Sequence, residues 1–314
     1  KFLPCSHTLG LKLLRLSQGL LNPFIIPLMQ KMLRKEMSDV ILPGEKSELF
    51  AHLAKRFQNK VRVNFNYLGE AVLGEEEAQA RLNYYIKMLQ RPEIDYVSVK
   101  ISSIYSQLNL LSREKTLEVL SNKLSQLYRI AKRSLAIDIY GNKYSKFVNL
   151  DMEEFRDVEL TMDLFKLVLN ESEFKEYQAG IVLQAYLPDS YSFQKDLTQW
   201  AKKRLLRGGS PVKLRLVKGA NLSMEQVESS VMGWSQAPFL DKKSVDANFK
   251  QMLHYAMLKE NAESVHLGVG SHNLFDISYA LLLREKNQVK EWVSFEMLEG
   301  MAPHLQRAIH QISG

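Results

Sequence analysis

Seven polar side chains stand at or just past the ends of short β-forming runs: Lys100 in YVSVKIS, Asp151 after FVNL, Gln184 in GIVLQAYL, Arg215 and Lys218 in PVKLRLVKGANL, His272 in VGSHN and Glu296 in WVSFEML. Cations, carboxylates, an amide and an imidazole brought to one mouth suit a polar cofactor and a small anionic substrate. Alternation in VKLRLV puts Lys213 and Arg215 on one face of a strand. Burying an unpaired cation is costly, so Arg215 needs either an anionic partner or a cavity holding an electron-rich ligand. The alternative is an edge strand on which Lys213 and Arg215 point to water. Taken singly, His272 also reads as an ordinary residue at a helix start, and Asp151 as an N-cap.

Other chemistries are set aside or kept open by motif. There is no HExxH, no CxxC and no histidine pair at i, i+4, which argues against a transition-metal site. GVGSHN at 268–273 opens like a dinucleotide-binding loop, but Asn273 stands where the last glycine belongs. The single Cys5 allows no internal disulfide and fits a reducing compartment. A net charge of +7 favours anionic partners, yet 35 acidic residues are spread among 42 basic ones. No arginine-rich run with interleaved aromatics marks a nucleic-acid footprint. Lys218 in LVKGA remains a candidate for a Schiff base with a carbonyl substrate, which would make the chain a lyase.

The elements that would position these groups alternate in type. From residue 61 onward, β-like runs at 62–68, 96–101, 147–150, 180–187, 212–217, 264–270 and 292–298 are separated by helix-period segments. Gly74 followed by three glutamates starts one helix, and Ser112 is expected to cap a long one whose apolar face is Leu117, Leu120, Leu124, Leu127 and Ala131. A further helix is expected to open at Glu153 and Glu154, and Gly208-Gly209 to stop another. Seven strands each followed by helix predict an α/β fold, a (βα)8 TIM-type barrel whose eighth strand and helix are expected beyond Gly314. Residues 1–60 are expected to form a helical arm before a barrel at 61–314. The arm carries no acid before Glu36, and Arg15, Asn22, Pro23 and Pro27 break its apolar run below the length of a membrane span. It reads as a helix packed on the main domain or as a basic amphipathic surface for a membrane or partner.

NYLGEAVLGEEEA, VSVKISSIY, FVNLDMEE, GIVLQAYLP, KLRLVKGA and VGSHN, in this order and spacing over residues 61–306, resemble the proline dehydrogenase family, as in the N-terminal half of bifunctional proline utilization A enzymes. The resemblance implies an FAD-containing barrel that oxidises L-proline to Δ1-pyrroline-5-carboxylate and passes the electrons to a membrane quinone. It implies a cytoplasmic enzyme, peripheral at the inner membrane surface, with an aldehyde dehydrogenase domain fused in the full-length protein. By the same carry-over Lys100 pairs with the substrate carboxylate, Asp151 belongs to the polar network beside the flavin, and Arg215 lies near flavin N5. Gln184, Lys218, Gly219, His272 and Asn273 are then cofactor residues, and Leu298 lines the proline pocket. Asn221-Leu222 departs from the aromatic pair that follows LVKGA in much of the family. The paired arginines of the family's eighth helix are expected beyond Gly314. Without the resemblance, the residues alone leave the Schiff-base lyase and a non-catalytic flavin-binding scaffold open.

Overall fold

The computed structural model describes Lys12, Arg15 and residues 22–37, 46–67, 72–137 and 141–313. The leading residues of the basic arm, Cys5, and Leu68-Gly69 at the end of the first expected strand lie outside the described residues. The chain divides into two compact units, residues 1–52 with 298–314 and residues 53–297. In the first, α1 is Asn22–Glu36 and the last helix of the chain is Pro303–Ser313, with Ile309 buried. Helix α2, Lys46–Gln58, crosses from one unit into the other in sequence.

The second unit is built on a parallel sheet. Its strands are β1 (Phe65–Asn66), β2 (Tyr96–Val99), β5 (Phe147–Leu150), β6 (Gly180–Gln184), β7 (Val212–Val217), β8 (Val265–Gly270) and β9 (Val293–Glu296), hydrogen-bonded in that order. Between β2 and β5 runs a short antiparallel hairpin, β3 (Leu135–Ile137) with β4 (Lys143–Ser145). Helices α3 (Glu75–Gln90), α4 (Ile101–Ile104), α5 (Arg113–Arg133), α6 (Val158–Leu169), α7 (Ser190–Leu206), α8 (Leu222–Met232), α9 (Lys242–Ala256), α10 (Lys259–Ala262) and α11 (Leu274–Lys286) fill the crossovers. This is the α/β architecture of a TIM-type barrel, with seven parallel strands in its sheet among the described residues.

The strand sequences explain which face looks where. In β7, Val212, Leu214 and Leu216 are buried while Lys213, Arg215 and Val217 are only half-buried. The aliphatic set faces the helices, and the other set faces the interior of the curl. Register extends that interior row across the sheet: Ser98 faces Asn149, Asn149 faces Gly180, Gly180 faces Lys213, and Lys213 faces His266. On the helical side, Leu120, Leu124, Leu127 and Ala131 of α5 are fully buried, as the periodicity predicts.

Three local expectations change. Ser112 makes no side-chain cap; Asn109 instead accepts from the Leu111 amide and caps a single 3-10 turn that feeds α5. The helix after β5 does not open at Glu153, because Phe155–Asp157 form a 3-10 turn and α6 begins at Val158. Both glutamates are therefore left at the barrel mouth. The first strand pairs through only two residues, and just before it the Arg62 side chain donates to Asp95 (2.5 Å) and the Asn64 side chain to the Ser98 hydroxyl (2.8 Å).

Candidate active site

Three other strands converge on Arg215. Its Nε–H donates to Glu296 Oε2 (2.7 Å) on β9, and Nη1 to Asp151 Oδ1 (3.0 Å), the residue after β5. Nη1 also reaches the Ser98 hydroxyl (3.4 Å), and Nη2 donates to the Tyr96 hydroxyl (2.8 Å), both on β2. Partners two and three strands away meet one side chain only if the sheet curls, so this cluster fixes the barrel's interior. Asp151 is held in turn by Asn66 through Oδ2 and Asn149 through Oδ1, both at 2.9 Å. Glu296 Oε1 receives Lys213 Nζ at 2.7 Å. Of the two sequence options, Arg215 thus takes the anionic partners, on a strand that is paired on both sides.

Charge in this interior is settled by the pairs. Burial opposes ionisation of Glu296, but Lys213 and Arg215 outweigh it and bring its carboxyl down to about 2. Asp151 moves the other way, because burial pushes it above the usual carboxylate range in spite of Arg215. Burial also works against the Arg215 guanidinium, yet Glu296, Tyr96 and Asp151 overcome it and hold its proton more tightly than usual. Arg215 is a permanent cation here. Its five N–H groups meet four partners, which leaves at least one Nη hydrogen for a ligand.

Nearer the mouth, Lys100 Nζ lies 2.6 Å from Glu153 Oε1, and the Ser102 hydroxyl donates to the other oxygen of the same carboxylate. Both charged side chains are about one-fifth exposed, within reach of solvent and of a small ligand. Gln184, 3% exposed at the end of β6, directs its amide N–H groups to the Met152 and Glu153 carbonyls at 3.3 Å. Its Oε1 is buried and has no hydrogen-bond partner among the described residues.

Lys218 belongs to a different environment. Its ammonium bridges Asp246 Oδ1 (2.5 Å) at the first turns of α9 and Asp276 Oδ2 (2.6 Å) at the start of α11. Burial lowers its proton affinity, but the two carboxylates prevail and raise it above the ordinary lysine value. Gly219 follows with φ of 129°, and a Cβ there would stand 2.5 Å from the Tyr186 ring, so only glycine fits. Asn273 caps α11, accepting from the Phe275 and Asp276 amides. His272 precedes it, and burial lowers its proton affinity. Leu298 lies in the first unit and is exposed. Asn221 occupies the N-cap position of α8 without making a side-chain cap, and Leu222 is partly exposed.

A family model described as proline dehydrogenase matches residues 50–313. The chain belongs to the proline dehydrogenase family. It superposes on proline utilization A (PutA) from Corynebacterium freiburgense with a TM-score of 0.83 and 42% identity, over 90% of this chain and 28% of that one. It is 27% identical over 245 residues to proline dehydrogenase 1 of Bacillus subtilis, covering 78% of this chain and 68% of that protein. With the bifunctional protein PutA of Klebsiella aerogenes it shares 23% identity over 302 residues, 90% of this chain and 22% of that protein. The chain thus spans about a fifth of the bifunctional relative's length.

The donor set of this proline dehydrogenase family member fits a flavin. Gln184 Oε1 is a buried acceptor in want of an N–H, and Arg215 is a fixed cation with a donor to spare. An isoalloxazine edge presents both complements. The interior brings together Asp151, Arg215 and, through strand pairing with β7, Gln184; Lys100 joins Glu153 near them. Tyr96, Lys213 and Glu296 complete the arginine cluster. Lys213 was visible in the alternation of β7 and Glu296 at the end of its strand. Tyr96 lay in an apolar run with no sign that its hydroxyl would meet a guanidinium.

Proposed function

We propose that this chain is an FAD-dependent proline dehydrogenase, oxidising L-proline to Δ1-pyrroline-5-carboxylate in the first step of proline catabolism to glutamate, with a membrane quinone taking the electrons. When bound, the flavin supplies the hydride acceptor. The single observation that carries the reading is Arg215, a half-buried cation on β7 fixed by partners from three other strands, with a donor left for a ligand. A cation so fixed favours negative charge developing on an electron-accepting ring. Asp151 orients it. Gln184 offers its free oxygen to a ring N–H, and Lys218, Gly219, His272 and Asn273 form the remaining cofactor-facing loops.

On the substrate side, Lys100 binds the proline carboxylate. Its present partner Glu153 holds the ammonium at the mouth until the substrate carboxylate arrives. Oxidation removes a hydride from the carbon beside nitrogen and a proton from the nitrogen, leaving a C=N bond. The full-length protein would carry a fused aldehyde dehydrogenase to consume the product, and the compartment is the cytoplasm, with the quinone reached at the membrane surface. No helix among the described residues is long and apolar enough to cross a membrane.

The lyase alternative is not favoured. A Schiff-base lysine needs a depressed proton affinity, whereas Lys218 is clamped by two carboxylates that raise it. Proline-dependent reduction of a dye, with chemical trapping of the cyclic imine, tests the proposal. Dye reduction with no imine formed, or no dependence on proline, would refute it.

A further inference from the structure

We propose that Glu296 is a positioning residue for Arg215, setting the plane of its guanidinium, with Lys213 as its second anchor and Gly268 as the space that admits it. The inference rests on the flavin reading only for its consequence, not for its geometry. Glu296 is the last residue of β9, and its carboxylate spans two cations on β7, reaching Lys213 through Oε1 and Arg215 through Oε2, each at 2.7 Å. Lys213 and Arg215 are two residues apart on one face of a strand, so they repel unless an anion lies between them.

The division of labour among the partners of Arg215 is specific. Asp151, Ser98 and Tyr96 all bind the Nη ends. Glu296 alone takes Nε–H. Nη contacts hold the tip in the lumen, while the Nε–H direction decides how the planar group is turned about its stem. The fold also makes room for this carboxylate and for nothing larger on β8. A Cβ at Gly268 would stand 2.1 Å from Glu296 Oε1 and 3.0 Å from Lys213 Cε.

The test uses the full chain labelled with 15N-arginine, with the Arg215 Nε–H signal assigned by its loss in Arg215→Lys. Wild type is expected to show a slowly exchanging Nε–H. In Glu296→Gln, whose amide cannot accept from both cations, exchange should be about tenfold faster or more, as expected when one charge-assisted hydrogen bond is lost. Adding Lys213→Met to that variant leaves the Gln oxygen free for Nε–H and should restore much of the protection. Gly268→Ala, which keeps every charge and displaces the carboxylate, should also speed exchange and serves if Glu296→Gln does not fold.

With FAD bound, Glu296→Gln should shift the flavin midpoint potential in the negative direction, the direction also expected of Arg215→Met, because a turned cation stabilises the reduced ring less. A positive shift would mean that Glu296 acts only as a nearby anion, and it would overturn the proposal. Unchanged Nε–H exchange in both Glu296→Gln and Gly268→Ala would overturn it as well. If the wild type takes up no FAD, the flavin reading fails by itself, and the exchange measurement still decides the positioning role.

Discussion

Arg215 Nη1 stands 3.0 Å from Asp151 Oδ1 across the barrel interior, and each side chain is 13% exposed. Sixty-four residues separate the two in sequence. Asp151 would be left desolvated without its cation if Arg215 were lost, whereas Arg215 without Asp151 keeps Glu296 as an anionic partner.

The first prediction follows from that pair. Arg215→Met is expected to destabilise the chain by about 3 kcal/mol, the usual cost of stranding a buried charge, and Asp151→Ala by less, because Glu296 still pairs with Arg215. The double variant should cost clearly less than their sum, with a coupling on the order of 1–3 kcal/mol in a urea-unfolding cycle. Strict additivity would show that the contact carries no energy.

Acid should expose the second pair. Glu296 titrates at about 2 in the fold against 4.5 ordinarily. Its contribution is therefore fully present above pH 4.5, and it is lost as pH falls through about 2. The shift corresponds to about 3 kcal/mol. Asp151, raised in the fold, opposes this, since its carboxyl binds a proton more readily folded than unfolded. Urea midpoints followed down to acid pH should fall less steeply in Glu296→Gln than in wild type. Parallel acid limbs would place the stabilising carboxylate elsewhere.

Lys100 is expected to act on substrate affinity. Lys100→Met should raise the proline KM by about thirtyfold or more, in line with removing one member of a bound charge pair, and leave the flavin spectrum alone. Equal KM values in variant and wild type would remove Lys100 from the carboxylate site.

For Lys218 the prediction is negative. Borohydride in the presence of carbonyl compounds should leave Lys218 unmodified, since Asp246 and Asp276 keep it protonated. A reduced adduct mapped by mass spectrometry to Lys218 would reinstate Schiff-base chemistry.

Strands and helices were legible where composition and period agree. GIVLQ reads as a buried strand, and all five residues are buried. The α5 leucines fall on one face as expected. The hairpin of β3 and β4 was not legible, because LAI and KYS are too short to show a period. Start positions also slipped where a 3-10 turn precedes the helix, as the turn capped by Asn109 does before α5.

Within the site, sequence gave the interior-facing cations through alternation, and it required a partner for Arg215. It could not choose among 35 acidic residues, since the choice of Asp151 and Glu296 depends on how far the sheet curls. The pairing of Lys100 with Glu153 depends likewise on a 3-10 turn that delays α6 and leaves Glu153 outside it. Both are three-dimensional facts with no trace in local spacing.

The central claim is that this interior holds a flavin that proline reduces. The direct measurement is the visible spectrum of the purified chain loaded with FAD, recorded without oxygen while L-proline is added. Stoichiometric bleaching of the flavin band, weakened in Lys100→Met, is the predicted result. A bound flavin whose spectrum is indifferent to saturating L-proline would contradict the account.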